Sequence, residues 1–267
     1  MIFFMNPSQL ATELSSIGVS PSKSRGQNFL IDDGVADRQI AYAAINPEDV
    51  VLEIGPGLGM ITSRLAMKAE KVIAIETDKK LADYLSKKLP SNVELITADA
   101  LCVDFPKFDV MVSNLPYSIS SPIIFKILNY NFRNAVVMLQ KEFADRMVAN
   151  PGSKDYSRLS VATYYRSKCK ILENVPASKF YPSPKVDSAV VEIIPREPPF
   201  ALSNKSFFFK LTEMLFQHRR KKIRTILKSK RLIESDGNLP YLDLRVETLS
   251  PEQIGELSEA ILALRDR

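Results

Sequence analysis

The feature that most constrains this chain is a glycine-rich turn that follows an apolar run near residue 50. Val50–Ile54 has the pattern of a buried strand, and Gly55, Gly57 and Gly59 alternate directly after it. A helical pattern begins at once with Met60. Glycine permits positive φ angles and a close approach of ligand to main chain, and the start of a helix offers free N–H groups. The stretch therefore predicts a nucleotide-type pocket at the carboxyl edge of a parallel sheet.

The glycine spacing and a carboxylate on the next strand narrow the ligand. The third glycine comes one residue earlier than in the dinucleotide fingerprint G-x-G-x-x-G, which disfavours a nicotinamide dehydrogenase. A second predicted strand, residues 71–75, ends on Glu76, whose carboxylate can accept hydrogen bonds from both hydroxyls of a ribose. The pattern favours a single nucleoside ligand. The alternative is an ordinary tight turn with a solvated glutamate.

The composition limits the class of protein. A chain of 267 residues with 45% apolar residues can form one large domain, or a main domain with a small appendage. The formal charge of +5 mildly favours an anionic partner such as nucleic acid. Cys102 and Cys169 have no metal-binding spacing, and His218 is the single histidine, so we expect no metal site. Reduced cysteines and the absence of a membrane-spanning apolar run predict a cytoplasmic protein.

Strands that alternate with helices predict an α/β fold with a mostly parallel sheet covered on both faces. The predicted strands are residues 50–54, 71–75, 93–97, 108–113, 135–139, 170–175 and 188–194. The predicted helices are residues 6–17, 33–44, 60–65, 81–89, 158–165, 205–217, 221–230 and 251–264. Prolines at 195, 198 and 199 indicate a domain boundary. We therefore divide the chain into an N-terminal extension (1–23), an α/β domain (24–196) and an all-helical C-terminal domain (197–267).

Polar residues follow the third and fourth strands at the same sheet edge. Asp99 follows the third strand, where its carboxylate can accept from an exocyclic amine. The fourth strand leads into Asn114, Leu115, Pro116 and Tyr117. The asparagine oxygen and an adjacent backbone carbonyl can both accept from one –NH2 group, and the tyrosine supplies a flat face for a base. This arrangement fits N-alkylation of an exocyclic amine, catalysed by positioning and electrostatics. The alternative is a turn with an asparagine cap and a packed tyrosine.

These motifs resemble a known class of enzymes. The glycine turn with Glu76 and Asp99 resembles the Rossmann-like S-adenosylmethionine-dependent methyltransferases, and residues 114–117 resemble the motif of its adenine-N6 methyltransferases. Residues 27–30, 156–161, 180–188 and 216–221 resemble the small-subunit rRNA adenine dimethyltransferase family (the KsgA family). The resemblance covers roughly residues 23–230. The combination is specific, although the glycine turn alone is shared by all methyltransferases of the fold.

The resemblance implies that the cleft binds S-adenosyl-L-methionine and releases S-adenosyl-L-homocysteine. Asn28 and Leu30 would contact the methionine end of the cofactor, and Gly55 would lie against its backbone. Glu76 would bind the ribose hydroxyls and Asp99 the adenine. The expected cofactor-binding residues are Asn28, Leu30, Gly55, Gly57, Glu76, Asp99 and Asn114.

The resemblance also implies the reaction and the catalytic residues. Asn114 would hold the target N6 together with the Leu115 carbonyl, Pro116 would fix the turn, and Tyr117 and Phe180 would sandwich the target adenine. The family methylates two adjacent adenosines in a hairpin loop near the 3′ end of small-subunit (16S-type) rRNA, giving N6,N6-dimethyladenosine during small-subunit biogenesis. The alternative for Phe180 is an aromatic residue that covers the sheet edge.

A separate basic run predicts an RNA surface. Residues 217–231 contain eight Lys or Arg and no acidic residue, and Ile223, Ile226 and Leu227 form an apolar stripe that would pack. The candidate RNA-binding residues are Arg219, Arg220, Lys221, Lys222 and Arg224, and the alternative is a solvated helix face. After Leu232 the chain has eight acidic and three basic residues, which makes that part an unlikely RNA surface. The expected partner is small-subunit rRNA or the pre-small ribosomal subunit, bound by a monomer without membrane association.

Two other functions remain open. A large-subunit rRNA adenine methyltransferase shares the fold and a similar Asn-x-Pro-Tyr motif, but residues 156–161 and 180–188 favour the small-subunit enzyme. A non-enzymatic assembly or transcription factor could bind RNA or DNA on the same fold. The presence of Asn114, Tyr117 and Phe180 argues against it, because a pure binding protein has no need of them.

Overall fold

A seven-stranded mixed sheet forms the centre of the first part of the chain. The computed structural model describes residues 6–21, 26–233 and 238–265, the last without its side chain. The strands in these residues are β1 (Phe29–Leu30), β2 (Val50–Ile54), β3 (Lys71–Glu76), β4 (Val93–Thr97), β5 (Val110–Asn114), β6 (Asn134–Gln140), β7 (Ser167–Val175), β8 (Phe180–Tyr181) and β9 (Ser188–Pro195). The large sheet has the order β4-β3-β2-β5-β6-β9-β7, and β1 pairs with β8 in a separate two-stranded sheet.

The direction of the strands places the predicted site. β2 runs parallel to both β3 and β5, β3 parallel to β4, and β5 parallel to β6. These five strands confirm the prediction of a mostly parallel sheet, whereas β9 runs antiparallel to β6. The chain crosses from one side of β2 to the other between β4 and β5, and such a switch point leaves a crevice outside the carboxyl ends of the strands.

The helices match most of the predicted segments. They are α1 (Pro7–Ser16), α2 (Asp33–Tyr42), α3 (Met60–Ala66), α4 (Lys79–Leu85), α5 (Ser120–Ile127), α6 (Lys141–Met147), α7 (Arg158–Arg166), α8 (Lys205–Gln217), α9 (Ile223–Ser229) and α10 (Pro251–Arg265). Short 3-10 turns occur at Ala177–Lys179 and Val246–Thr248. The sequence did not predict α5 and α6, and the helix expected to reach Leu89 ends at Leu85. α5 tolerates Pro122 because the first-turn N–H groups of a helix have no intrahelical partner. None of the described helices is long and apolar enough to cross a bilayer.

One face of the sheet packs against α2 and α3. Alternate strand residues such as Val51, Val110 and Val136 form a core with Ala36 of α2 and Leu65 of α3. The intervening strand residues, including Leu52, Met111 and Val137, are also buried. Successive side chains of a strand point to opposite faces, so both faces of the sheet are covered, as predicted.

The chain separates into two compact units. One contains the described residues up to Ala144 together with Lys168–Pro195, and the other contains Asp145–Ser167 and the described residues from Arg196 onward. This differs from the predicted division, which assigned residues 145–167 to the α/β domain. The physical reason is a hydrophobic core in which Tyr156 and Tyr165 pack with Phe208 and Leu211 of α8. The predicted boundary at residues 23 and 24 lies outside the described residues.

The residues we predicted as an N-terminal extension are packed into the first unit where they are described. Leu10 and Leu14 of α1 form a cluster with Leu81 and Leu85 of α4. Lys88 Nζ lies 2.9 Å from a carboxylate oxygen of Glu13 in an ion pair. α1 is therefore part of the first unit rather than a separate appendage.

Candidate active site

The glycine turn connects β2 to α3 at the carboxyl edge of the sheet. Gly55, Gly57 and Gly59 have φ angles of 72°, 60° and 87°, where other residues are strained. A Cβ atom on Gly55 would lie 3.3 Å from Pro116 Cδ, and one on Gly57 would lie 3.1 Å from Phe29 Cε1. Both the backbone conformation and the close packing of two neighbouring segments therefore require glycine here.

The turn lies in a cleft with a volume of about 300 Å³. The walls come from the carboxyl ends of β2, β3, β4 and β5, from residues 26–30 and from β8. The structure brings together all the residues that the sequence assigned to the cofactor and to the target base. They are Asn28, Leu30, Gly55, Gly57, Glu76, Asp99, Asn114, Leu115, Pro116, Tyr117 and Phe180.

Glu76 ends β3 with a buried side chain that lines the cleft. Its Oε1 accepts a hydrogen bond from the Asp78 N–H at 2.9 Å, and its Oε2 accepts one from the Gly57 N–H at 3.3 Å. Burial raises the pKa of Glu76, while these two hydrogen bonds act in the opposite direction. Each carboxylate oxygen can accept a further hydrogen bond, so the side chain is already oriented to receive two hydroxyl groups.

Asp99 lies at the exposed side of the cleft, two residues after β4. Its Oδ1 accepts a hydrogen bond from the Leu101 N–H at 2.8 Å, which fixes the orientation of the carboxylate in a local turn. Its other oxygen accepts no hydrogen bond from the residues the structure describes. The carboxylate is therefore available to an amine at the mouth of the cleft.

Asn114 presents an unpartnered acceptor at the end of β5. Its Oδ1 is buried and has no hydrogen-bond partner within residues 6–21, 26–233 and 238–265. Leaving a buried amide oxygen without a donor costs free energy, so such atoms are rare in folded proteins. This oxygen fits an N–H donor on a bound molecule.

The three residues after Asn114 form a fixed turn. The Leu115 N–H donates to the Met138 carbonyl at 3.2 Å, and the Ile119 N–H donates to the Pro116 carbonyl at 3.1 Å. The Tyr117 Oη lies 2.6 Å from the Ser188 Oγ in a hydrogen bond. Burial raises the pKa of Tyr117, so its hydroxyl stays protonated at neutral pH. Tyr117 and Asn114 therefore line the same cleft from two ends of a short turn.

The wall opposite the sheet edge is the two-stranded sheet of β1 and β8. Leu30 pairs with Phe180, and Phe29 pairs with Tyr181. Leu30 and Phe180 are 6% and 5% exposed because they also pack in the core under α2. The Asn28 Nδ2 donates to the Gly26 carbonyl at 3.2 Å. Phe180 lines the cleft although it is almost fully buried, and stacking on a target base stays a prediction.

Glu53 is a cleft residue that we did not predict. It is 2% exposed within β2, and its Oε2 has no hydrogen-bond partner among the described residues. Burial raises the pKa of Glu53 to about 8, Thr62 lowers it and the Glu76 carboxylate raises it. The available signal was a carboxylate inside an otherwise apolar strand, because an acid is rarely buried without a partner.

Leu10 of α1 also lines the cleft, although we assigned no function to the N-terminal segment. Its spacing with Leu14 predicted an amphipathic helix, and both side chains are buried as expected. The periodicity of an isolated helix does not reveal the surface on which it docks. This contribution to the cleft was therefore not predictable from the sequence.

Three of the five basic residues predicted to contact RNA form ion pairs within the protein. Ile223, Ile226 and Leu227 are fully buried, so the predicted packing stripe is confirmed. Arg219 Nε lies 2.9 Å from a Glu247 carboxylate oxygen, and Lys222 and Arg224 both pair with Asp243. Within the described parts of the chain, Arg220 and Lys221 are exposed and take part in no ion pair. Acidic residues of the C-terminal segment thus neutralise three of the five candidate RNA contacts.

The described residues contain no cluster of three or more His, Cys, Asp or Glu side chains that could hold a metal ion. The side chains that line the cleft include three carboxylates, three amides and three hydroxyls (Glu53, Glu76, Asp99; Gln27, Asn28, Asn114; Thr77, Tyr117, Ser118). These groups suit an organic ligand with hydroxyl and amine donors.

Relatives of known sequence match nearly the whole chain. The profile described as ribosomal RNA adenine dimethylase matches residues 20–258. A protein of Methanosarcina acetivorans, described as "probable ribosomal RNA small subunit methyltransferase A", is 46% identical over 252 residues, which cover 90% of this chain and 94% of that protein. A protein of Thermococcus onnurineus with the same description is 42% identical over 271 residues, with coverages of 97% and 98%.

Solved structures of two rRNA- or adenosine-modifying enzymes are similar as well. A dimethyladenosine transferase from Plasmodium falciparum has 35% sequence identity and a TM-score of 0.74, and the match covers 86% of this chain and 95% of that one. The 23S rRNA methyltransferase ErmE has 29% identity and a TM-score of 0.68, with coverages of 88% and 99%. Both likenesses extend over most of each chain.

Proposed function

The chain belongs to the ribosomal RNA adenine dimethylase family, and from this membership we propose that it dimethylates two adjacent adenosines in a hairpin loop near the 3′ end of small-subunit rRNA. It is an S-adenosylmethionine-dependent rRNA adenine dimethyltransferase with a Rossmann-like fold. The modification takes place during biogenesis of the small subunit, and the substrate is the rRNA within the pre-small subunit.

The observation that carries this proposal is the unpartnered Oδ1 of Asn114 in a cleft that Tyr117 also lines. A buried acceptor and an aromatic side chain in one cleft, at the carboxyl edge of the sheet, suit an unstacked base that presents an exocyclic amine. Asn114 and the Leu115 carbonyl together accept both N–H bonds of that amine. A protein that only binds RNA gains nothing from an acceptor that is costly to keep unpaired.

The residues of the cleft fit S-adenosylmethionine. The buried Glu53 Oε2 lines the cleft and lacks a hydrogen-bond partner among the described residues, which matches a ligand that carries an ammonium group. Glu76 receives the ribose hydroxyls, and Asp99 receives the amine of the cofactor adenine. Asn28, Leu30, Gly55 and Gly57 complete the binding surface, because glycine lets the ligand approach the main chain closely.

The chemistry that the cofactor supplies is an electrophilic methyl group on a positively charged sulfur. The protein positions the target amine relative to this methyl group. By accepting the amine N–H bonds, Asn114 and the Leu115 carbonyl hold the nitrogen so that its lone pair leaves conjugation with the ring and faces the methyl donor. Pro116 fixes the turn that carries them, and Tyr117 and Phe180 restrain the base plane. Because an amide is not a base, the rate enhancement comes from orientation and electrostatics.

The second unit contributes cations for the RNA backbone. Of the five predicted contacts, Arg220 and Lys221 are the two whose charges no described acidic residue neutralises, so we assign them the phosphate contacts. Before Arg219, Lys222 or Arg224 can bind a phosphate, its ion pair with Glu247 or Asp243 must break. The candidate RNA-binding residues stay the same five, with Arg220 and Lys221 ranked first.

A large-subunit rRNA adenine methyltransferase is the second candidate, since the 23S enzyme has a similar structure. The sequence segments 156–161 and 180–188 favour the small-subunit substrate. The chemistry at Asn114 would be the same in both cases, so only the RNA that is methylated separates the two.

The test is methyl transfer from labelled S-adenosylmethionine to purified small subunits that lack the modification. Large subunits and duplex DNA serve as parallel substrates, and Asn114→Ala serves as the impaired variant. We expect label in N6,N6-dimethyladenosine of small-subunit rRNA with the native protein and a much slower appearance of label with the variant. Label in the large subunit alone would establish the second candidate, and RNA binding without any label would identify a binding factor.

A further inference from the structure

Ser188 connects two strands of the sheet to the aromatic wall of the base pocket. It is the first residue of β9, which runs antiparallel to β6, and it lies opposite Gln140 at the end of that strand. β6 in turn runs parallel to β5, where Asn114 lies opposite Met138. Because β9 has the opposite direction, its beginning lies at the sheet edge where β5 and β6 end. Ser188 and Asn114 therefore share one edge.

The Ser188 hydroxyl has a single described side-chain partner, the hydroxyl of Tyr117 at 2.6 Å. Ser188 is fully buried, whereas Tyr117 is partly exposed at the cleft. A hydrogen bond from a buried strand residue fixes the position of the phenol oxygen, which limits displacement and tilt of the tyrosine ring while leaving its face free. A tyrosine used only for its aromatic face would not need a buried partner, so the bond has a positioning role.

The residue before Ser188 fixes the second aromatic wall. Asp187 Oδ1 accepts a hydrogen bond from the Ala177 N–H at 2.9 Å and so closes the loop that contains Phe180. The Asp187 carbonyl accepts from the Lys141 N–H at 2.9 Å, which ties the end of the same loop to the end of β6. Two adjacent residues thus hold Tyr117 on one side and the Phe180 loop on the other.

We propose that Ser188 is a positioning residue for the target adenine, which fixes the Tyr117 ring while Asp187 fixes the loop of Phe180, so that this pair sets the spacing of the two aromatic walls. The proposal rests on the proposed function of the cleft. It assigns the base-holding geometry to a hydrogen bond between residues that neither touch the cofactor nor supply an acceptor for the amine.

The second methyl transfer is expected to depend most on this geometry. The unmodified amine offers two N–H bonds, one for Asn114 and one for the Leu115 carbonyl. The first transfer forms an N–CH3 bond as the bond between the methyl group and the donor sulfur breaks, and one amine proton leaves to water. One N–H then remains, so one of these hydrogen bonds is lost. The aromatic walls then carry a larger share of the positioning. Loss of the Ser188 hydroxyl should therefore slow the second transfer more than the first.

The experiment compares Ser188→Ala, Tyr117→Phe and the double variant with the native protein. Each single change removes the same hydrogen bond from one end and leaves the aromatic ring in place. Ser258→Ala is the matched control, because it removes an equally buried hydroxyl from α10, in the other unit. The readouts are kcat, the KM for S-adenosylmethionine, the ratio of monomethyl to dimethyl adenosine in the small-subunit rRNA and the unfolding temperature.

We expect kcat to fall about tenfold in both single variants, the worth of one neutral hydrogen bond, with an unchanged KM for the cofactor. The double variant should fall no further than either single variant, because both remove one bond. The monomethyl fraction should rise in these variants and not in Ser258→Ala. A merely structural role would lower the unfolding temperature without changing the product ratio.

Additive losses in the double variant, or an unchanged product ratio, would overturn the proposal. If Ser188→Ala does not fold, native activity of Tyr117→Phe would overturn it by itself. Absence of methylation by the native protein would overturn the proposed function and this proposal together. Methylation by the native protein at the same rate and product ratio as both single variants would overturn only the role of Ser188.

Discussion

The cleft and the basic run differ in how their polar groups are satisfied. In the cleft, Glu53 and Asn114 each keep a buried oxygen without a hydrogen-bond partner among the described residues. In the basic run, Arg219 pairs with Glu247, and Arg224 pairs with Asp243. The cleft thus contains buried oxygens whose missing hydrogen bonds cost free energy. The basic run instead forms ion pairs between charges that water would solvate without such a cost.

The difference shows which feature marks a binding site more strongly. A buried unpaired oxygen lowers stability, so one that also lines a cleft is a candidate acceptor for a ligand. Unpaired buried atoms of Gln39, Asn134 and Tyr156 lie outside the cleft and do not indicate a ligand by themselves. An exposed cation has no such cost, and its ion pairs contribute little to stability. The cleft therefore has a stronger physical claim to a specific ligand than the run of Lys and Arg. Four changes can break or sharpen this contrast.

The largest effect should follow removal of the unpaired amide oxygen. In Asn114→Ala we expect kcat to fall by about 10²–10³-fold, the usual loss when one preorganised polar contact to the reacting group is deleted. The reason is that the Leu115 carbonyl alone cannot orient the amine. Single-turnover methylation of small-subunit rRNA would measure this loss. Asn129→Ala is the matched control, because its side chain bonds to the Phe125 carbonyl away from the cleft. Equal losses in both variants would contradict a specific role of Asn114.

Removal of the carboxylate at the end of β3 should weaken cofactor binding. In Glu76→Ala we expect the Kd for S-adenosylmethionine to rise about 100-fold, since two hydrogen bonds to a charged acceptor are lost. Titration calorimetry without RNA would measure it. The matched control is Glu94→Ala, an exposed acid on the neighbouring strand that pairs with Lys71. A Kd that changes less in Glu76→Ala than in the control would remove Glu76 from the cofactor site.

Glu53 should make the stability of the ligand-free protein depend on pH. Its pKa is raised to about 8 by burial, so between its ordinary pKa of 4.5 and about 8 the folded state keeps a proton that the unfolded state releases. The contribution of Glu53 to the free energy of unfolding is then fully present below about pH 4.5. It falls as the pH rises towards about 8, by up to about 1.4 kcal/mol per pH unit. Glu53→Gln should remove this contribution. Chemical unfolding of both proteins at several pH values would measure the difference.

Other groups of the cleft titrate too, so the comparison between the two proteins is the informative quantity. Burial also raises the pKa of Glu76, and the residue faces Glu53 together with Thr62. The Glu76 contribution is present in both proteins and largely cancels in the difference. A difference between native protein and Glu53→Gln that stays constant from pH 5 to pH 8 would show that Glu53 is ionised in the folded state.

The sequence predicted those parts of the candidate site that depend on only a few consecutive residues. The glycine turn follows β2 directly, Glu76 and Asn114 end β3 and β5, and the carboxyl ends of parallel strands meet at one edge. Local backbone rules and strand direction were therefore sufficient. The same reasoning predicted the buried stripe of α9, because helical periodicity is also a local property.

The unpredicted features depend on contacts between distant residues. The hydroxyls of Tyr117 and Ser188 are 71 positions apart in the chain, and their bond follows from the reversed direction of β9. The pairing of Arg224 with Asp243 depends on how the second unit folds its acidic segment back onto α9. A count of charges along the chain does not contain that information. Burial of Glu53 likewise appears only once α3 covers β2.

We expect the smallest effect from substitutions in the basic run, where Arg220 has no ion pair among the described residues and Arg224 pairs with Asp243. In Arg220→Ala we expect the slope of log affinity for small-subunit RNA against log salt to fall by about one, since one phosphate contact is lost. Arg224→Ala is its matched partner and should change the slope less, because Asp243 accepts its Nη2 at 2.7 Å and a phosphate must displace that carboxylate. Filter binding at several salt concentrations would measure both slopes. A larger change in Arg224→Ala would mean that Asp243 orients the arginine towards the RNA, and the ion pairs of the basic run would then belong to the binding surface rather than compete with it.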